Sequence, residues 1–430
     1  MSRRGRARTA SVHSRRTRLA AVLLAALAAK SSIALDWRTP WREPRDPQAA
    51  ATRSDEYAWH LFVALNWPAS PVARTADRRA RFGADRPVVW ESWQSAGEVY
   101  LQSGADPGPW LPGHPVAPDR RFETLSLQDL LKARHIVGGV MVPLVDPISA
   151  AKRLTEIRMN RKTYEFIRVR ELYNLEGQMR AFTDGRAVSF PYGSQEVKAK
   201  WRPISISESR RYHTTLVTLA DGTKRLYGLT ALHIVSKDLP HWFWATFEQV
   251  DNPALADGEG WQLPSRDRFA CGAQPADCNL APRNIGLEDT VWQYYRLRGT
   301  LTRFVDSRDK PELLANSELE TGLQKSASCI TCHSRASIGV IAGAPVRLPI
   351  FDLGANATPS DARVRRGFYG LPNPEWYRRL GADGRMHQYF RSLDFVWSLS
   401  QAKSMTVPAN IVSGANRNES NELHAAGNAP

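Results

Sequence analysis

Apolar residues recur at helical spacing in the first half of the chain. Residues 55–66 have apolar side chains three and four positions apart and stop before Pro68, which predicts a helix. The same spacing predicts helices over residues 124–134 and 160–182. Residues 67–120 are dense in Pro, Gly and Trp, and this composition predicts irregular structure.

The middle of the chain has the pattern of β-strands. Residues 213–219 and 225–235 flank an Ala-Asp-Gly-Thr sequence, which predicts a β-hairpin with Asp-Gly at its turn. Residues 242–250 and 290–304 have the composition of further strands. We therefore expect a mixed α+β domain, built on an antiparallel sheet, over residues 35–300.

The last part of the chain predicts a second, smaller domain. Leucines at helical spacing predict a helix over residues 311–324, and residues 389–402 have a helix-like pattern as well. We expect residues 301–406 to form a small, mainly helical domain that follows the first one. Residues 407–430 are rich in Asn, Ala, Ser and Gly and lack a core-forming pattern, which predicts a disordered tail.

The N-terminus has the composition of a secretory signal. Seven arginines precede the apolar run 19–29, and Ser32 and Ala34 are small residues suited to cleavage. This pattern predicts a signal peptide over residues 1–34. The run is too short to span a bilayer. Arg15-Arg16 also fits a twin-arginine signal, and an uncleaved anchor is the alternative. We expect a periplasmic or secreted mature chain without a membrane span.

Removal of this segment changes the charge of the protein. The whole chain has 58 basic and 43 acidic residues, and residues 1–34 contain eight of the basic residues and no acidic one. The net charge therefore falls from +15 to +7, which suits a protein that meets an acidic partner. The basic pairs Arg210-Arg211 and Arg365-Arg366 are isolated in the sequence, so nucleic-acid binding is not expected.

A C-x-x-C-H box occupies Cys329-Ile330-Thr331-Cys332-His333 and indicates a cofactor. Two thiols three residues apart lie on the same side of a helical turn, so each adds across one vinyl group of a haem while His333 turns its imidazole to the iron. The box predicts one covalent haem c, attached through Cys329 and Cys332, with His333 as an iron ligand.

Other interpretations of these cysteines stay open. Together with Cys271 and Cys278, the box thiols would complete a four-cysteine zinc site. A thioredoxin-like redox pair is a further alternative, but it expects a preceding strand and a parallel α/β frame. In an exported chain, the short turn-rich loop between Cys271 and Cys278 predicts a disulfide instead.

At the box the chain resembles the c-type cytochromes. The sequences Ala-Leu-His-Ile at 231–234, Trp-Ala-Thr-Phe-Glu at 244–248 and Asp-Phe-Val-Trp-Ser at 394–398 resemble those of large exported bacterial proteins with a single C-terminal haem box. This resemblance spans residues 55–402. It implies haem binding and electron transfer, and it implies no substrate.

The second axial position of the iron separates two functions. A methionine ligand in a small cytochrome follows the box by some tens of residues, and Met386 lies 53 residues after His333. His387 is the nearest substitute. A lone histidine such as His233, in an apolar strand, is more often a hydrogen-bonded core residue, yet with Glu248 it would also serve beside a haem as a ligand or proton-transfer group.

The sequence thus predicts an exported monohaem c-type cytochrome that passes single electrons to a redox partner protein. The alternative is a haem-dependent oxidoreductase, a peroxidase or oxygenase, with an open iron face beside His233 or Glu248. The nucleotide-binding, zinc-protease and hydrolase motifs G-x-G-x-x-G, G-x-x-x-x-G-K-[ST], H-E-x-x-H and G-x-S-x-G are absent from the sequence.

Overall fold

A computed structural model describes residues 35–113, 154–219, 222–252, 265–272, 278–320, 327–348 and 369–405. The predicted signal segment, the helix predicted at 124–134 and the predicted tail lie outside these residues. The α-helices of the described part are α1 (Pro47–Thr52), α2 (Ser54–Leu65), α3 (Ala96–Val99), α4 (Arg161–Val169), α5 (Leu175–Thr183), α6 (Arg268–Cys271) and α7 (Cys329–Ser334).

The main sheet has seven strands, and all of its pairings are antiparallel. These strands are β1 (Gln94–Ser95), β2 (Leu154–Met159), β3 (Gln195–Pro203), β4 (Thr214–Thr218), β5 (Lys224–Ser236), β6 (Phe243–Gln249) and β7 (Tyr295–Leu301). The strand order is β1-β2-β3-β5-β6-β7, with β4 paired to β5. The α+β class with an antiparallel sheet is confirmed, as is the hairpin of β4 and β5, in which Thr218 pairs with Lys224.

Helix α2 covers one face of this sheet and is buried on nearly all sides. Its aromatic side chains contact the sheet: the ring of Tyr57 lies 5.0 Å from that of Phe243, and those of Trp59 and Phe62 lie 5.1 and 4.3 Å from Phe247. A helix that is apolar all round is stable only inside a core. The predicted helix at 55–66 is therefore confirmed as a core element.

The single helix predicted over residues 160–182 is wrong, because the chain forms α4 and α5 with a break between them. Asn174 begins α5, since its side chain accepts a hydrogen bond of 2.8 Å from the backbone N–H of Gly177. Glu171 takes a left-handed backbone conformation with φ of 57°. A side chain at Gly177 would collide with the Glu171 carbonyl, so this close approach requires glycine.

The described residues after 301 contain one α-helix, α7, and five short strands. These strands are β8 (Ser337–Ile341), β9 (Ala344–Val346), β10 (Arg378–Leu380), β11 (Met386–Gln388) and β12 (Arg391–Ser392). The helical content is thus lower than the sequence predicted for this region. Strands β12, β8 and β9 form a small sheet, and β10 and β11 form a hairpin.

The helix predicted over residues 311–324 is also wrong for its described part, which lies as an irregular segment on the main sheet. Asn316 donates from its side-chain amide to the hydroxyl of Thr246 at 2.8 Å, and the backbone N–H of Ser317 donates to Glu248 at 2.6 Å. Hydrogen bonds to the sheet replace those within a helix, although the leucine spacing favours a helix.

The second face of the main sheet shares a hydrophobic core with the region around α7. Trp244 and Leu301 pack in one buried cluster with Cys329, Ile330 and Leu393. Side chains from both sides of residue 300 therefore form this core. Within the described ranges, no helix has the length and apolar character that a membrane crossing requires.

Candidate functional site

Helix α7 carries both thiols of the box on a single turn. It begins after Ser328, whose carbonyl accepts a hydrogen bond of 2.9 Å from the backbone N–H of Cys332. Cys329 is buried and contacts the carbonyl oxygen of Leu314 through its sulfur at 3.2 Å, whereas Cys332 is half-buried. Neither sulfur is bonded to another cysteine. The helical turn that the motif predicts is therefore present.

The ring of His333 is oriented by a backbone carbonyl. Its Nδ1 lies 2.9 Å from the carbonyl oxygen of Phe395, which is an acceptor only, so Nδ1 carries the proton and donates. The lone pair then lies on Nε2, the ring atom that remains for a metal. Burial lowers the pKa of His333 to about 3, which keeps the ring neutral at pH 7. The ring of Trp244 packs against it at 4.5 Å.

A charged cluster lies on the same face of the sheet as the box. We define it as Lys198, His233 and Glu320; Lys198 on β3 stands directly opposite His233 on β5, so both side chains point to one face. Nε2 of His233 lies 3.5 Å from the Glu320 carboxylate. Burial raises the pKa of Glu320, but the attraction of His233 and Lys198 outweighs it and the pKa falls to about 2.

The charged cluster is close enough to the box to act on it electrostatically. After burial and the Phe395 hydrogen bond, Lys198, His233 and Glu320 all contribute to the pKa of His333. The register explains this proximity: His233 pairs with Thr246, which lies two residues after Trp244 and so points to the same face of β6. The cluster therefore forms one wall of the space beside His333.

A fully buried carboxylate, that of Glu248, lies on β6, four residues after Trp244. It accepts the hydrogen bond from Ser317 and is flanked by the guanidinium groups of Arg296 at 3.2 Å and Arg298 at 3.5 Å. Glu248 is thus an anchor that fixes the segment before the box, since two cations and a backbone donor saturate it. Its expected role as a proton-transfer group stays a prediction.

Met386 and His387 lie on the hairpin of β10 and β11. The Met386 side chain is 64% exposed and stands opposite Leu380, which is exposed as well. His387 forms an exposed pair with Asp383 at 2.9 Å. The hairpin is tied to α7 because the hydroxyl of Tyr377, next to β10, donates to the Ser334 carbonyl. Both side chains are exposed on this hairpin, and the ligand role of Met386 stays a prediction.

The three sequences behind the resemblance meet around α7, although they lie far apart in the chain. Residues 231–234 contribute His233, residues 244–248 contribute Trp244, and residues 394–398 contribute the Phe395 carbonyl. Sequence reasoning missed Lys198 and Glu320, because neither belongs to a recognisable motif. Alternation along β3 would have assigned Lys198 to a face, but no local signal brings Glu320 to His233.

The cysteines outside the box exclude the four-cysteine zinc site. Cys271 and Cys278 form a disulfide with a Cα–Cα distance of 5.7 Å, as the sequence predicts. In the part of the chain that the structure describes, no group of three or more His, Cys, Asp or Glu side chains is arranged to hold a metal ion. Burial also raises the pKa of Cys332 to about 11, the opposite of the low value that a redox-active dithiol needs.

The residues of the box fit a covalently attached haem. Cys329 and Cys332 provide two unbonded sulfurs one turn apart, and His333 provides a neutral ring whose Nε2 is left for the iron. Trp244 and Phe395 supply aromatic walls, with ring centroids 6.3 Å apart. A haem would bring its own nitrogen ligands for the iron, so His333 is the one residue of the box that would have to bind the metal. Comparison with protein-family models, curated proteins and solved structures finds no match.

Proposed function

We propose that this chain is an exported monohaem c-type cytochrome that transfers single electrons to a partner protein. The observation that supports it is the arrangement of Cys329, Cys332 and His333 on one helical turn, with the histidine ring held by the Phe395 carbonyl. A bound haem would supply one-electron redox chemistry at this site.

The surrounding residues would orient the group and exclude water from it. The two cysteines would hold its edge, and His333 would offer Nε2 in a fixed direction because Nδ1 is engaged. Trp244 keeps the ring of His333 in place through direct packing, and its own indole N–H donates to the His241 carbonyl at 2.9 Å. Rigid, apolar packing of this kind around His333 suits electron transfer, since few atoms have to move when an electron is gained or lost.

Two side chains qualify as a second protein ligand that would hold the haem iron. Met386 has an exposed thioether on a hairpin that is bonded to α7, and no core contact holds it elsewhere. His233 lies in the wall beside His333, and its Nε2 is buried without a hydrogen-bond partner apart from the 3.5 Å approach of Glu320. A thioether would raise the reduction potential relative to an imidazole.

The His233–Glu320 pair favours haem-dependent oxidoreductase chemistry as the second candidate. An imidazole next to a carboxylate moves protons readily, and peroxidase or oxygenase reactions need such a group beside an open iron face. If neither Met386 nor His233 binds the iron, His233 would hold or deliver the proton from this wall.

The hairpin beside α7 offers a surface for the redox partner. Arg378 and Arg379 of β10 and Arg385 before β11 are exposed, next to the exposed side chains of Leu380 and Met386. An apolar patch within a basic rim suits a transient, acidic partner. The mature charge of +7 has the same sign, and the association rate should fall with added salt.

Haem attachment is tested by haem staining after denaturing electrophoresis, with the C329S/C332S double variant. Wild-type protein should retain the stain, and the variant should lose it, because the thioether bonds are gone. The matched control is C271A/C278A, which removes the same number of cysteines from the disulfide and should keep the stain. Wild-type protein without covalent haem would refute the proposal.

The second axial position is tested by optical spectra of Met386→Ala and His233→Ala in the oxidised, reduced and carbon monoxide-treated states. Loss of a near-infrared sulfur-to-iron band and uptake of carbon monoxide in Met386→Ala alone would identify the carrier with methionine ligation. Uptake of carbon monoxide by the wild-type protein, unchanged in Met386→Ala, would favour the oxidoreductase.

A further inference from the structure

Residues 394–398 form a strap along α7, and we call this segment the proximal strap. The Phe395 carbonyl accepts the hydrogen bond from Nδ1 of His333. Two residues later, the indole N–H of Trp397 donates to the Cys332 carbonyl at 3.0 Å. Just before the strap, the backbone N–H of Leu393 donates to the Ala336 carbonyl at 2.8 Å. The strap thus contacts the C-terminal end of the box, at Cys332 and His333.

The turn that presents the Phe395 carbonyl is strained. Asp394 and Phe395 have φ values of 51° and 69°, so two successive residues with side chains take the left-handed conformation. This region is unfavourable for L-residues other than glycine, and a β-carbon makes it costly. Such a conformation persists only where the surrounding structure imposes it. The direction of the Phe395 carbonyl therefore depends on the contacts that hold the turn.

Those contacts converge on the carboxylate of Asp394. One oxygen pairs with the ammonium group of Lys237 at 2.7 Å, and the other accepts from the backbone N–H of Phe190 at 2.7 Å. Lys237 is itself fixed, because it also donates to the Pro240 carbonyl at 2.8 Å. Asp394 and Lys237 are 8% and 6% exposed, so the pair is shielded from competing water and salt.

We propose that Asp394 and Lys237 are positioning residues, which hold the proximal strap so that the Phe395 carbonyl stays on Nδ1 of His333. The inference rests on the proposed haem site and deepens it, because this hydrogen bond sets the electron density that Nε2 offers to the iron. A stronger bond at Nδ1 makes the ring a better donor, stabilises the ferric state and lowers the reduction potential. Neither residue touches the box.

Two substitutions that change the charge in opposite directions distinguish a positioning role from a purely electrostatic effect on the potential. Asp394→Asn removes a negative charge, and Lys237→Met removes a positive one. If charge alone acted, the first variant would raise the reduction potential and the second would lower it. If the pair positions the strap, both variants loosen the same hydrogen bond, and both raise the potential.

The experiment compares the haem-loaded wild type, Asp394→Asn and Lys237→Met by redox titration and by NMR of the His333 ring N–H. We expect a higher potential in both variants and ring N–H exchange with solvent that is about tenfold faster, the loss expected for one hydrogen bond. The matched control is Asp309→Asn, since Asp309 is exposed and also has a positive φ, of 58°. It should leave both measurements unchanged.

The outcomes are distinguishable. Potential shifts of opposite sign with unchanged exchange would overturn the positioning role and leave the haem proposal intact, as would an effect of equal size in Asp309→Asn. A wild-type protein that carries no covalent haem would refute the proposed function itself, and the positioning role with it. The sign of the potential shift decides only in Lys237→Met, because Asp394→Asn raises the potential by either mechanism. If Lys237→Met does not fold, the ring N–H exchange rate of Asp394→Asn decides, since a loss of charge alone leaves that rate unchanged.

Discussion

The two faces of the main sheet are built from the same strands, but they differ in their side chains and in the elements that cover them. On β6, Phe243 and Phe247 point to α2 and pack against aromatic rings of that helix. Trp244 and Glu248 point to the other face, towards α7 and its neighbours. The α2 face is covered by one regular helix. On the α7 face, α4 and α5 contribute side chains to the core, and irregular segments bond to the sheet through polar groups.

On the proposed function, one face of the sheet serves stability and the other serves the chemistry. The polar ends of the aromatic residues on the α2 face are individually satisfied: the indole N–H of Trp59 donates to Asp267 at 2.7 Å, and the Tyr57 hydroxyl donates to Asp238 at 2.8 Å. Both faces bury carboxylates, but the α7 face also buries the guanidinium groups of Arg296 and Arg298. Taking a charge out of water is costly unless partners surround it. Charges buried beside a cofactor motif are typical of functional sites.

The largest expected effect comes from breaking the α2 face at Phe62. This side chain is fully buried between Phe247 and Trp292, so Phe62→Ala should cost about 3–5 kcal/mol of the free energy of unfolding, through lost burial and a cavity. Urea denaturation measures it. Phe269→Ala, which truncates a partly exposed ring, should cost less than about 1 kcal/mol.

If the proposed haem is present, Phe62→Ala should leave it unaffected. Folded Phe62→Ala protein should have the same haem content and the same optical spectrum as the wild type, because α2 and α7 lie on opposite faces. A changed spectrum in this variant would show that the two faces are coupled.

Breaking the α7 face at Glu248 should cost nearly as much stability and should also disturb the site. Glu248→Gln leaves Arg296 and Arg298 without their buried counter-charge, which we expect to cost about 3–4 kcal/mol, the lower part of the usual range because the amide oxygen still accepts from Ser317. Denaturation of the haem-loaded protein measures this cost, and its optical spectrum should change.

The matched control for Glu248 is an exposed ion pair on the same chain. Arg303 and Glu312 are joined at 2.6 Å, but the arginine side chain is largely exposed. Glu312→Gln should therefore change stability by less than about 0.5 kcal/mol and leave the spectrum unchanged. Equal effects of the two substitutions would contradict the distinction between buried and exposed charges.

The features that the sequence predicts well are those set by nearby residues. The β4–β5 hairpin depends on a turn and its flanking alternation, and α2 depends on one apolar run, so both follow from local pattern. The box is also set by nearby residues, since Cys329, Cys332 and His333 lie on one helical turn.

The features that the sequence fails to predict are imposed by distant contacts. Leu313, Leu314 and Leu319 have helical spacing, yet the segment is irregular because Asn316 and Ser317 bond to β6. The same holds at the site, where the Phe395 carbonyl reaches His333 from 62 residues away. Backbone groups carry no sequence signature, so their role emerges only from the fold.

The smallest expected effect concerns Glu196, which lies on the α7 face two residues before Lys198. Burial raises the pKa of Glu196 to about 7, although the Ser398 hydroxyl donates to it at 2.6 Å. The unfolded chain releases this proton near the usual value, so between about pH 4.5 and 7 the folded state binds more protons and stability falls as pH rises. Glu196→Gln removes this loss and should be more stable than the wild type at pH 8, by on the order of 2–3 kcal/mol, with little difference at pH 4. Urea denaturation at both pH values measures this difference.

Glu208→Gln is the control, because hydrogen bonds from the backbone of Ser205 and from Arg202 lower the pKa of Glu208 to about 2 and its titration lies below this window. A wild-type protein whose stability does not fall relative to Glu196→Gln between pH 4 and 8 would show that Glu196 ionises freely, and that the α7 face is wetter than its packing implies.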